Sequence, residues 1–192
     1  MPYQQSTVGN RDVERYPRFT NLGEVQAVRD IVQLLQPSAA EVRPSLAVLS
    51  PYARQVARIR TELMEDDNCR SALSCLKPVA RGNAWCSTVD AFQGNEADAI
   101  IVSLVRNNHH ATLRRALGFI SDPRRMNVLL SRARWRLYLV TSLEFLRTVA
   151  TPLGLENEPE AKFLRDFVSG LDDYFAQGTA IRIPPSQVAG SR

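Results

Sequence analysis

This 192-residue sequence predicts an α/β domain built on an open, mostly parallel sheet. Three observations carry that prediction. Short apolar strands alternate with amphipathic helices, the pattern of parallel strands joined by crossover helices. The run Ala99-Ile-Ile-Val-Ser-Leu-Val105 is almost unbroken in its apolarity, as a central strand covered on both faces requires. The composition, 44% hydrophobic and 23% charged, is that of an ordinary globular domain with one sizeable core.

The elements follow in order. Residues 1–20 are polar and aperiodic and predict an N-terminal arm. Asn21 caps a helix with Val25, Val28, Ile31, Val32 and Leu35 at helical spacing, stopped by Pro37. Ser45–Ser50 is a short apolar strand. A turn at Pro51 leads into an arginine-faced helix with Val56, Ile59 and Leu63 inward. Residues 65–83 predict an irregular excursion, 84–89 a second strand and 99–105 the central one. A polar, basic loop over 106–121 ends at Asp122-Pro123, a cap followed by proline at the first helical position. That helix is expected to run to about Arg134. A strand over 137–141, a short helix over 143–149 and a last amphipathic helix opened by Pro159 follow. In the last helix Phe163, Phe167, Leu171 and Tyr174 face inward and Gly178 is the stop. The domain thus spans 21–178, with a tail over 179–192. Ligands of open parallel sheets bind at the carboxyl ends of the strands, where both the 93–96 turn and the loop before Asp122 are expected.

The net charge is +4, and among the 24 cationic side chains only Lys77 and Lys162 are lysines. Arginine grips phosphate with two parallel donors, so the clustering at Arg124, Arg125, Arg132, Arg134 and Arg136 points to a phosphate-bearing partner. Cys69, Cys75 and Cys86 include no C-x-x-C pair and have only His109 and His110 as possible companions, which argues against a zinc site or a disulfide framework. No signal peptide and no membrane-spanning run is visible, and free thiols fit a reducing compartment. The expectation is a soluble intracellular chain, cytoplasmic or nuclear, without membrane association or bound structural metal.

Hydrolysis of a nucleoside triphosphate needs a backbone cradle, a magnesium ligand, a group that positions water, and cations for the developing charge. A phosphate-binding P-loop needs Gly-Lys-Ser/Thr, whereas Lys77 precedes Pro78 and Lys162 lies between Ala161 and Phe163. The sequence therefore holds no P-loop. The acidic run Glu65-Asp66-Asp67 ends a helix rather than an apolar strand, so it reads as a solvated helix end. What remains is cationic. On a continuous helix Arg125 and Arg132 share a stripe and Arg124, Ser131 and Arg134 an adjacent one, while Met126, Leu130 and Ala133 turn inward. Gly94 lets the backbone turn tightly in Gln93-Gly94-Asn95-Glu96. Three uses stand open to Glu96: orienting a water, holding a ribose hydroxyl, or pairing with Arg132.

Taken together, Ser50-Pro-Tyr52 with Gln55, Thr88-Val-Asp-Ala-Phe-Gln-Gly-Asn-Glu96, and Asp122-Pro-Arg-Arg-Met-Asn-Val-Leu-Leu-Ser-Arg-Ala-Arg134 resemble the later motifs of superfamily 1 helicases of the up-frameshift and senataxin-like branch. The likeness covers about 21–140 and is to the second RecA-like domain of those proteins. It implies a three-layer RecA-like fold around a mostly parallel sheet, without its own P-loop. It further implies that Arg132 is the arginine finger that meets the γ-phosphate, and that Glu96 and Gly94 contact the nucleotide. Gln93 would couple the two sites and Arg125 support the same pocket. Ser50, Thr88 and Arg106 are implied on the nucleic-acid side, where hydroxyl and guanidinium groups hold the phosphate backbone without reading sequence. Tyr52 is expected to pack rather than stack on a base, and Arg54 and Arg58 lie on an exposed helix face.

The P-loop, the magnesium-binding acid and the family's aromatic-arginine element are absent from the chain, which implies a domain excised from a longer helicase or a natural truncation. ATP and Mg2+ would then be shared with a first RecA-like domain, and the chain alone would be inactive. The expected function is the C-terminal motor domain of an ATP-dependent helicase acting on single-stranded DNA or RNA. The competing reading is a non-catalytic nucleic-acid-binding or scaffold module derived from a helicase. A nuclease is disfavoured by the lack of an acidic cluster at a strand end.

Overall fold

The computed structural model describes residues 19–35, 43–82, 84–108, 113–150 and 159–183. The first helix starts as the sequence predicts. The Asn21 side chain accepts from the Glu24 N–H, and α1 runs over Leu22–Leu34 with Val25, Val28 and Val32 buried. Strand β1 (Ser45–Ser50) is buried along its whole length, and α2 (Ala53–Glu65) turns Val56, Ile59 and Leu63 inward. The excursion expected over 65–83 is instead ordered. Asp66 accepts from the Cys69 N–H at 2.8 Å and caps a further helix, α3 (Asp67–Ser74), which is followed by the two-residue strand β2 (Lys77–Pro78).

After β3 (Cys86–Thr88), a 3-10 turn over Asp90–Phe92 leads to β4 (Ala97–Ser103). The basic loop expected after β4 contains a short helix, α4 (Leu113–Leu117), and a 3-10 turn over Gly118–Ser121. Helix α5 (Pro123–Leu130) starts at the Asp122 cap, which accepts from the Arg124 and Arg125 N–H groups. It stops four residues short of the expected end, and β5 (Ala133–Val140) begins there. Helices α6 (Leu143–Ala150) and α7 (Pro159–Ala176) complete the fold. Phe163 and Phe167 stack on α7 and face the core, but Tyr174, expected inward, is 56% exposed. The expected arm and most of the expected tail, 1–18 and 184–192, lie outside the described residues.

The five strands form one sheet ordered β2-β1-β4-β5, with β3 also pairing β1, and every ladder is parallel. Residues alternate between its two faces. Ala47, Leu49, Ile100 and Val102 pack with Leu117, Met126, Leu129, Leu146 and Leu164 from the later helices. Leu46, Val48 and Ile101 pack on the other face with residues of α1, α2 and α3. The three-layer α/β architecture is therefore as predicted. Each fully buried Leu or Ile contributes about 1.5–3 kcal/mol, so the sheet is held chiefly by these two apolar layers.

Burial sorts the cysteines. Burial, reinforced by the Asp66 charge, pushes the Cys69 thiol up to about 12, and burial does the same for Cys86. Cys75 is exposed. We expect Ellman's reagent to titrate only Cys75 in the native chain, with Cys69 and Cys86 reacting after denaturation.

Candidate functional site

The chain leaves β3 at Thr88 and must return to the opposite end of the sheet before β4 can run parallel to β1. The 93–96 turn therefore lies at the amino end of β4, not at a carboxyl end as the strand order alone suggested. All four of its residues are exposed. Gly94 has φ +85°, and a Cβ there would meet nothing within 4 Å. Backbone conformation, rather than space, calls for glycine at this position.

Arg132 lies beside this turn. The Ala97 N–H donates to the Arg132 carbonyl at 3.1 Å, which opens the β4–β5 ladder and draws residue 132 out of the helix. Ser131 is the C-cap of α5, and the half-buried Arg132 side chain folds back so that its Nε donates to the Val128 carbonyl at 3.0 Å. A late helical carbonyl left without an amide partner is thereby satisfied. Arg132 and Arg134 are thus not on the helical stripes expected for them. Among the described residues the terminal nitrogens of Arg132 meet no carboxylate.

Arg134, not Arg132, pairs with Glu96. Its Nε donates to Glu96 Oε2 at 3.1 Å, and its guanidinium reaches Asp98 Oδ1 at 4.0 Å. The ladder explains this choice. Ala97 faces Ala133 but Ala99 faces Arg136, so β5 carries one extra residue in a bulge. Bulges re-aim side chains; here Arg134 turns toward the two carboxylates, and Trp135 stands 75% exposed. Asp98 Oδ2 accepts from the Ser45 backbone N–H at 2.8 Å and from its hydroxyl at 2.7 Å. The Ser45 backbone bond, with the hydroxyl, Arg134 and Lys77 in support, holds the Asp98 carboxyl below its usual range although partial burial opposes the shift. Asp98 and Arg134 were missed as site residues; the alternation of Glu96 and Asp98 beside an arginine-rich strand was the available signal.

Arg125 is not brought to the turn. It sits in the first turn of α5, with its guanidinium over the Phe119 ring at 5.3 Å and Nε 3.5 Å from Asp122. The structure thus brings the backbone of Arg132 beside the 93–96 turn, while the Arg125 side chain is engaged with Phe119 and Asp122.

Ser50, Thr88 and Arg106 gather at the other end, where β1, β3 and β4 finish. Ser50 faces Thr88 in the ladder. Thr88 is half-buried and its Oγ1 accepts from the Ala91 N–H at 3.3 Å. Ser50 is fully buried, with its Oγ accepting from the Tyr52 N–H. Arg106 is 2% exposed; its Nε donates to the Ala116 carbonyl at 2.9 Å and its Nη2 to that of Arg115. Ser50 and Arg106, implied on the nucleic-acid side, are thus buried, and the polar atoms just named bond to the protein's own backbone. Tyr52 packs as expected, stacked on Phe19 at 4.8 Å and accepting from the Phe119 N–H. Gly118 passes so close that a Cβ would lie 2.7 Å from the Tyr52 hydroxyl.

Immediately before Arg106, Val105 has φ +73° while the Arg106 N–H donates to the Leu104 carbonyl at 2.8 Å. This is a γ-turn of the rare kind, and its conformation costs a β-branched residue about 1–3 kcal/mol.

Among the described residues no group of three His, Cys, Asp or Glu side chains is placed to hold a metal, and no helix is long and apolar enough to cross a membrane.

Known proteins resemble this arrangement in sequence. A family model described as AAA domain matches residues 3–144. DNA polymerase alpha-associated DNA helicase A of Saccharomyces cerevisiae is 34% identical over 127 residues, which cover 66% of this chain and 16% of the yeast protein. A regulator of nonsense transcripts 1 homolog of Arabidopsis thaliana is 34% identical over 64% of the chain and 9% of its own length. The probable helicase senataxin of Homo sapiens is 27% identical over 76% of the chain and 5% of its own length. The chain spans less than a fifth of each of these relatives. A family model matched over most of the chain, an α/β parallel sheet and relatives named as helicases lead to one conclusion: the chain belongs to the AAA-domain family and to the superfamily 1 helicases of the up-frameshift and senataxin-like branch.

Proposed function

We propose that this chain is the second motor domain of an ATP-dependent DNA or RNA helicase. It would supply an arginine finger and part of the track for a single strand to an active site completed by a first RecA-like domain. The observation that carries the reading is the Ala97–Arg132 backbone hydrogen bond. It sets the Arg132 backbone beside the exposed 93–96 turn, and the half-buried Arg132 guanidinium, with Nε on the Val128 carbonyl, has no carboxylate on its terminal nitrogens among the described residues. Such a guanidinium has spare donors for a transferring phosphoryl group, and an arginine reaching in from a second domain contributes on the order of 10³–10⁵ in rate.

The residues present fit one wall of a nucleotide pocket. Arg132 would approach the γ-phosphate, Gly94 would let the backbone near the nucleotide, and Glu96, held by Arg134, would accept from a hydroxyl or a water. The Lys-bearing loop and the acids that hold Mg2+ would come from the first domain, since among the described residues no group of acids is placed to hold a metal. ATP supplies the phosphoanhydride bond; this chain's contribution is to position charge and exclude water as the two domains close. Opening after hydrolysis would advance the strand.

On the nucleic-acid side, Thr88 is the half-buried member of the implied set. Arg54 and Arg58 add an exposed basic face on α2, which starts at the same end of the sheet. Ser50 and Arg106 support this end from within. The names of the relatives, which include a DNA helicase and a regulator of nonsense transcripts, leave DNA and RNA both open as substrate.

Two outcomes test the reading. The isolated chain should show negligible ATPase activity, and a protein carrying both motor domains should turn over; Arg132→Ala there should lower kcat by about 10³-fold or more. Arg132→Lys should restore little, because an ammonium lacks the planar fork. Wild-type turnover in Arg132→Ala would refute the finger. The chain should also bind single-stranded oligonucleotide in a salt-dependent way, with the log–log slope becoming shallower by about 0.7 for each of Arg54→Ala and Arg58→Ala. In the two-domain protein ATP should change that affinity, whereas a pure scaffold would bind identically with and without nucleotide.

A further inference from the structure

The residues Asn21-Leu-Gly-Glu24 have the form of a reciprocal helix cap, in which the fourth side chain reaches back to the N–H of the first. Only half of that cap is made. The Asn21 side chain accepts from the Glu24 N–H, but the Asn21 N–H donates to Gln55 Oε1 at 2.9 Å. The Glu24 carboxylate is turned to the end of β4, where Oε2 accepts from the Ser103 hydroxyl at 2.6 Å and from the Val105 N–H at 2.8 Å. Gln55 Nε2 donates to Ser103 Oγ at 3.0 Å and to the Asn21 carbonyl at 3.1 Å, and Asn21 Nδ2 donates to the Val105 carbonyl at 3.1 Å. Every residue of this network is less than 5% exposed.

Both backbone groups of Val105, the residue at φ +73°, are therefore held by side chains from α1. A carboxylate withdrawn from its local cap and buried against a strained turn has a task at that turn.

The geometry assigns Glu24, with Asn21 and Gln55, as positioning residues that hold the γ-turn at Val105. Through that turn they set the direction in which Arg106 and the α4–α5 arm leave the sheet. Arg106 takes up the carbonyls of Ala116 and Arg115 at the end of α4, so the turn's setting is passed to the segment that leads into α5 and Arg132. The positioning concerns the fold of this chain; its consequence for a nucleic-acid strand rests on the function proposed above.

Amide hydrogen exchange on the whole chain reads the turn directly, since the Arg106 N–H closes it. Glu24→Gln keeps the side-chain size and should raise exchange at Val105 and Arg106 about tenfold more than at the β4 amides of Ile100 and Val102. Adding Val105→Gly should return the Arg106 amide to within about threefold of the parent, because glycine adopts positive φ without steric cost. A merely structural Glu24 gives the opposite pattern: exchange rises evenly, and the double variant is worse than either single one. That pattern overturns the assignment. Should Glu24→Gln not fold, Ser103→Ala removes one of the two donors on the carboxylate and is read with the same rescue. Oligonucleotide affinity separates this inference from the proposed function. If the parent binds no strand while the exchange rescue holds, the helicase reading falls and the positioning stands. If the parent binds and Glu24→Gln leaves the turn unmoved, only the positioning falls.

Discussion

A backbone hydrogen bond from the Ala97 amide to the Arg132 carbonyl, 3.1 Å long, is where two distant stretches of sequence become one site. In isolation such a bond stabilises the fold by about 1 kcal/mol. Its importance lies in the register it begins. Slipping β5 by one residue against β4 would move every side chain of β5 to the opposite face. Register is enforced from β4, whose Ile100, Ile101 and Val102 are fully buried between two helical layers. The apolar core thus fixes the neighbourhood of Arg132 and the 93–96 turn, whose own side chains are exposed. The bulge between Ala97 and Ala99 then adjusts one position, swinging Arg134 to Glu96 and Asp98.

The two ends of the sheet are built on different physical terms. At the amino end the polar groups are largely solvated. Glu96 and Arg134 keep 46% and 58% of their side-chain exposure, and pairs of that kind contribute about 0–1 kcal/mol. An incoming anion can displace such a pair with little loss to the fold. At the carboxyl end the polar groups are buried and joined to one another, from Asn21 and Glu24 through Gln55 and Ser103 to Val105. Removing one member there strands its partners away from water, a loss of about 1–3 kcal/mol for each. One end is adjustable and the other is set.

This difference also explains what the sequence could disclose. Asn21 as a cap, Ser45–Ser50 as a strand and Asp122-Pro123 as a helix start are local statements, and they were legible because cap and proline chemistry act within a few residues. Helix α3 differs from the expected irregular excursion: Cys69, Leu73 and Leu76 keep helical spacing behind the Asp66 cap, but eight residues with two buried positions give only a short periodic signal. The end of α5 was misjudged because the residues from Ser131 to Leu137 are mostly exposed, on the last strand of the path, and carry neither a helical nor a strand period. Residue type does not report burial, so the sequence did not disclose that Ser50 and Arg106 are enclosed. The acceptors of Arg106 are backbone carbonyls about ten residues further on. Motif strings singled out the 93–96 turn and Arg132, whereas the pairing of Glu96 with Arg134 rather than Arg132 depends on a bulge that no string encodes.

β4 links the two ends mechanically. Its seven residues span roughly 20 Å, and its pairing with β1 and β5 leaves it no freedom to bend without breaking a ladder. Displacement at its carboxyl end therefore has two exits: through the γ-turn at Val105 into the α4–α5 arm, or through the rigid strand to Ala97. The strand resists, and Glu24 and Asn21 hold the turn, so the α4–α5 arm leaves the sheet in one set direction. That arm returns to the sheet at Arg132, beside the turn that β4 itself holds in place. Arg132 is therefore held from both sides, by the Ala97 amide on its carbonyl and by the Val128 carbonyl on its Nε, a placement that a residue in the middle of α5 or β4 could not have.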